Sequence, residues 1–144
     1  MESVRRRNML IYPVIFTETK DEKDTVLVFI PDLNGMTEGY GLANAISMAK
    51  DYIGNALFNK TASEYPKASE IDDIKPETTV FKDAGKSFVS LVDIDVDFYR
   101  RKNKSKYVRR NITLPEWLDD MATNEKINVS AVTQKALIQY LGLV

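Results

Sequence analysis

Arg109, Asn111 and Thr113 stand at alternate positions in YVRRNITLP, so in a strand their side chains leave from one face while Ile112 and Leu114 leave from the other. Arginine can pair bidentately with guanine and asparagine with adenine, and a two-stranded ribbon fits the major groove of B-DNA, so this face has the chemistry to read bases. Asp93, Asp95 and Asp97 form a second alternating set, in KSFVSLVDIDVDF. A metal-dependent nuclease would need several carboxylates converging on Mg²⁺ from different elements. Here one strand supplies all three, which reads as a solvated acidic edge rather than a metal site. The 144 residues contain no cysteine and no histidine, which removes disulfides, thiolate nucleophiles, imidazole bases and the usual nitrogen or sulfur zinc sites together. The residue types favour binding over catalysis, and neither an enzymatic activity nor a cofactor is expected.

The net charge of −1 conceals two halves of opposite sign. Residues 1–99 carry 11 Lys and Arg against 17 Asp and Glu, whereas residues 100–144 carry 9 against 4. Arg100, Arg101, Lys102, Lys104, Lys106, Arg109 and Arg110 fall in one run without an acid. That density suits phosphate attraction, with a flexible charged linker as the plainer alternative. No apolar run approaches the roughly 18 residues of a membrane span and no signal-peptide pattern follows the start, so a cytoplasmic protein without a membrane partner is expected. Residues 1–8 (MESVRRRN) lack periodicity and read as a disordered leader or an upstream start, with Met9 then the true first residue.

The elements that must position these residues follow from periodicity. MLIYPVIFT (9–17) and TVLVFIP (25–31) are β-branched and aromatic, and read as an antiparallel hairpin; being apolar on both faces, they belong in the middle of a covered sheet. DLNGMTEGYG supplies a short third strand between glycines that permit positive φ and tight turns. Leu42, Ala45, Ile46, Ala49, Ile53, Ala56 and Leu57 recur at helical spacing to about Phe58 and form the face that lies on the sheet. Residues 59–77 read as a long polar loop, and Lys86 to Phe98 as a fourth strand with Phe88, Val92, Ile94 and Val96 on one face. The order is β-β-β-α-β, in an α+β chain of two units.

Beyond the basic run, Pro115 ends the short strand by opening a helix as its first residue. Trp117, Leu118, Met121 and Ala122 form that helix's apolar side, with Glu116, Asp119 and Asp120 near its N-terminus. Asn128 reads as the N-cap of a second helix bearing Val129, Val132, Ala136, Leu137, Tyr140 and Leu141 on one stripe. Some forty residues of strand and two helices cannot close a core alone, but two copies can.

At these residues the chain resembles a ribbon-helix-helix DNA-binding domain, through R-x-N-I-T-L-P, an amphipathic helix, and I-N-x-S opening a second. The resemblance implies a homodimer or higher even oligomer on operator double-stranded DNA. Arg109, Asn111 and Thr113 would read bases. Lys104, Lys106, Arg110 and the helix start at Asn128, Val129 and Ser130 would hold phosphates, and Ile112, Leu114, Trp117, Leu118, Met121, Val132 and Leu137 would form the dimer core. The front of the chain, LIYPVIF, VLVFIPDLNGMTEGYG and ANAISMAKDYIGNAL, resembles the partial RNase H-like domain of HicB-type antitoxins.

The two resemblances together imply a toxin-binding domain over residues 9–99 and a ribbon-helix-helix domain over 106–144. The implied function is to neutralise a HicA-type mRNA-cleaving toxin and to repress the shared operon, with Asp93, Asp95 and Asp97 as the expected toxin contacts. A ribbon-helix-helix repressor with a small-ligand-sensing front domain is the alternative, and a nuclease using the three aspartates is the third reading.

Overall fold

The computed structural model describes residues 9–20 and 23–143. The leader reading of residues 1–8 lies outside these, as do Asp21 and Glu22 of the hairpin turn. The chain divides into two compact units, one comprising Asn8–Ser105 and the other including Lys106–Val144.

In the first unit, β1 (Met9–Thr19), β2 (Thr25–Ile30), β3 (Gly35–Tyr40) and β4 (Gly85–Asp95) form an antiparallel sheet in the order β3-β2-β1-β4. The two strands that are apolar on both faces, β1 and β2, are the two central ones. Tyr12, Val14, Phe16, Val26, Val28, Ile30, Val92 and Ile94 are buried in one core with Ala45, Ala49, Ile53 and Leu57 of α1 (Leu42–Leu57). Phe88 joins from β4, its ring 5.6 Å from that of Phe16 and stacked on it. The spacing of four between the buried α1 residues defines the helix face. Leu42 and Ala56, expected on that face, are exposed, because they fall to either side of the stripe.

The glycines of NGMTEGYG divide into two roles. Gly41 alone of the three has positive φ, at 81°, whereas the αL turn before β3 is made by Asn34 at φ 48°. Gly35 and Gly39 instead admit the helix: a Cβ on Gly39 would lie 2.5 Å from the Ala45 amide nitrogen, and one on Gly35 would enter the Tyr52 ring. Turn geometry, expected of all three, thus accounts for one, and close approach of α1 to β3 for the other two. Asp32, in the same motif, clasps the segment between α1 and β4 by accepting from the Ser69 amide at 2.9 Å and its hydroxyl at 2.6 Å. Tyr12 fastens the same segment by donating to the Pro66 carbonyl at 2.7 Å. Burial first, and the Asp32 charge second, raise the Tyr12 phenol above its ordinary value.

The fourth strand ends earlier than its alternation suggests. Val96, Asp97 and Phe98 belong to α2 (Val96–Asn103), not to β4, because the Asp95 carboxylate caps the helix by accepting from the Phe98 amide at 3.3 Å. Val96 is still buried, so the apolar stripe survives the change of element. Tyr99 lies over Gly54, where a Cβ would meet its ring at 2.3 Å, and donates to Asp51 at 2.6 Å. Burial and this bond raise its phenol well above the usual range.

Arg100 completes the seam between α1 and α2. Its guanidinium donates to the Phe58 carbonyl at 3.1 Å, the Lys60 carbonyl at 3.2 Å, the Tyr65 hydroxyl at 3.3 Å and Asp97 at 3.0 Å. It is therefore part of the first unit rather than of a linker beginning at residue 100.

Candidate nucleic-acid interface

The second unit contains α3 (Glu116–Asn124) and α4 (Val129–Tyr140), preceded by residues 106–115 without regular secondary structure. The strand expected around Arg109 to Leu114 is thus not paired within one chain. An isolated extended segment has no ladder partner, and none is present among the described residues. Pro115 is the N-cap of α3, with φ −57° and ψ 143°, so the helix opens one residue later than expected, at Glu116. The proline ring fixes φ at a value that helix and extended chain share, and the extended ψ puts Pro115 just outside the helix.

The turn from α3 to α4 is well bonded. Lys126 takes the left-handed conformation (φ 53°), its amide donating to the Thr123 carbonyl and that of Ile127 to the Ala122 carbonyl, each within 3.1 Å. These two bonds are the Schellman pattern that closes a helix C-terminus. Asn128 then caps α4, its side-chain oxygen accepting from the Ala131 amide at 3.1 Å, as its place in the sequence suggested. The Val129 and Ser130 amides, first in the helix, have no intrahelical acceptor and lie at its positive end.

No residue of 106–143 is buried. Trp117 is 64% exposed, and Ile112, Leu118, Met121, Val132 and Leu137 are exposed with it, while Leu114 is half-buried. Two helices have formed, yet their apolar side chains have no buried core among the described residues. Arg109, Arg110, Asn111, Thr113 and Lys106 are likewise exposed.

The basic run is split between the units. Arg100 to Asn103 lie in α2, and the Lys104 ammonium donates to Asn59 at 3.1 Å, so Lys104 belongs structurally with the first unit. Residues 8–105 hold 12 Lys and Arg against 16 Asp and Glu, and residues 106–144 hold 5 against 4. The positive charge near Arg109 is therefore local rather than spread over residues 106–144.

The three aspartates do not form one face. Asp93 is an exposed β4 residue paired with Lys50 of α1 at 3.2 Å; Asp95 caps α2; Asp97, within α2, pairs with Arg100. Asp97 leaves the shared strand face because the strand has already ended. Among the described residues, no cluster of acidic side chains is arranged to hold a metal ion. No helix among them is long and apolar enough to cross a membrane.

Two solved structures are similar to this chain. A chain of a toxin-antitoxin complex from Streptococcus pneumoniae is similar over 91% of this chain and 98% of its own, with 25% identity and a TM-score of 0.56. The Burkholderia pseudomallei antitoxin HicB is 17% identical over 90% of this chain and 95% of its own, with a TM-score of 0.45. No match was found among curated proteins. An α+β unit followed by a helical unit, in a chain similar over nearly its whole length to one from a toxin-antitoxin complex, places this protein with toxin-antitoxin systems. Residues 12–137 match the model of the HicB-like antitoxins of bacterial toxin-antitoxin systems, and the chain belongs to that family.

Proposed function

We propose that this antitoxin works through both units: the first binds and neutralises a HicA-type mRNA-cleaving toxin, and the second dimerises as a ribbon-helix-helix module that represses the operon by binding operator DNA. The observation that carries the second part is the absence of any buried residue across 106–143 although two helices form there. A second copy supplies what is missing. Two segments of 107–114 pair as an antiparallel ribbon, placing Ile112 and Leu114 over both copies' Trp117, Leu118, Met121, Val132 and Leu137. Arg109, Asn111 and Thr113 then face the major groove, while the Val129 and Ser130 amides hold a phosphate. Lys106 and Arg110 add phosphate contacts; Lys104 does so only if it leaves Asn59.

Gel-shift titration against the chain's own promoter DNA tests this. Asn111→Ala is expected to relax base preference at one position of each half-site and to weaken binding by about 1–3 kcal/mol for each bidentate base pairing it removes. Lys106→Ala is expected to weaken binding evenly and lower the salt dependence by about one unit per phosphate neutralised. An equal drop in affinity on every DNA sequence for Asn111→Ala would count against the ribbon.

A further inference from the structure

The face of the sheet opposite α1 is apolar and exposed at one end. Met9, Ile11 and Leu91 are 44%, 53% and 51% exposed, although their neighbours Leu10, Tyr12 and Val92 pack into the core on the other side. The register of β1 against β4 sets Met9 opposite Asp95, Ile11 opposite Asp93 and Pro13 opposite Leu91. Directly opposed side chains in an antiparallel pair are about 5 Å apart at Cβ and diagonal ones about 7–8 Å, so Ile11, Leu91 and Asp93 adjoin. Single exposed apolar residues are ordinary, whereas adjoining ones beside carboxylates have the make-up of an interface: an apolar centre with a charged rim.

We propose that this end of the β1/β4 face, centred on Ile11, Leu91 and Asp93, is the surface on which the toxin docks. The inference rests on the antitoxin reading above and names its contact. The occupant's chemistry follows from charge. A protein that cleaves RNA must carry cations where phosphates lie, and the unit bearing this patch has 16 acidic against 12 basic residues. Asp93 is held in a surface ion pair with Lys50, both side chains being about half exposed, and such a pair exchanges readily for a partner's cation. Asp95 has one oxygen committed to the α2 cap, and Asp97 is committed to Arg100, so neither is available in the same way. The contact thus narrows from three aspartates to Asp93, and gains two apolar residues.

The test is the affinity of the full-length chain for the small basic protein encoded by the neighbouring gene, measured by calorimetry. The double substitution I11K/L91K introduces two cations at exposed positions and is expected to weaken binding by at least about 100-fold. Asp93→Lys, which loses only the exposed ion pair with Lys50, is expected to weaken it by about tenfold and keeps the proposal testable if the double variant unfolds. Met36→Lys, on the far edge strand β3, also exposed, is expected to leave affinity within about threefold. Undiminished affinity in both I11K/L91K and Asp93→Lys, or loss of binding on Met36→Lys instead, overturns the proposed surface while leaving the antitoxin reading intact. If the unsubstituted chain itself fails to bind, the toxin assignment falls and the surface with it.

Discussion

Trp117→Ala is expected to abolish operator binding by dissolving the dimer. Trp117 is 64% exposed in the single chain, so the substitution removes little from an isolated protomer. In the proposed dimer it is covered by the second copy, where truncating a large buried side chain costs about 2–5 kcal/mol per copy. Both copies carry the change, so the dimer dissociation constant rises by roughly a thousandfold or more. The C-terminal unit, lacking a core of its own, then has no stable fold to present to DNA. Sedimentation at micromolar concentration and a gel shift on the same sample check this. A variant that stays dimeric and folded while losing DNA binding would show that Trp117 is outside the shared core.

A chain ending at Ser105 is expected to retain its fold and its binding of the neighbouring toxin, and to lose operator binding completely. The first unit has its own core of Tyr12, Val14, Phe16, Val28, Ile53, Leu57 and their neighbours, and closes its last helix by bonding the Lys104 amide to the Arg100 carbonyl at 2.8 Å. The place of the cut matters. Ending at residue 99 would remove Arg100, whose guanidinium serves Phe58, Lys60, Tyr65 and Asp97. Hydrogen bonds to a charged group contribute about 1.5–3 kcal/mol, so the shorter chain is expected to be less stable by about that much. Thermal unfolding of the two truncations, together with toxin co-purification, checks both parts. Equal stability would mean that the Arg100 bonds do not hold the seam.

The sheet was legible where its strands are β-branched and aromatic and bounded by glycine or charge: β1 and β2 follow from local composition, and β3 from the glycines around it. The end of β4 was not. Alternation continues through Val96 and Phe98, and only the Asp95 side chain turning back to the Phe98 amide breaks it, a one-bond event that a period-two pattern does not register. The same break takes Asp97 off the strand face, and the bonds of Arg100 take it out of the basic run proposed to contact DNA. Charge spacing alone cannot tell a guanidinium bound to carbonyls 40 and 42 residues earlier from one waiting for phosphate. Ile11 and Leu91 do carry a sequence signal, since strands apolar on both faces require a cover for each. In the C-terminal unit the helices and the Asn128 cap were readable from spacing, whereas the proposed ribbon would need a second chain for its hydrogen bonds.

That requirement is open to one direct measurement, hydrogen exchange of the backbone amides of residues 107–114 in the free full-length protein over a range of concentrations. Paired as a ribbon between two copies, alternate amides of this segment are expected to be protected, and the protection is expected to fall as dilution separates the copies. Exchange at the rate of an unstructured chain at every concentration, under conditions where the protein binds its promoter DNA, would contradict the dimeric ribbon.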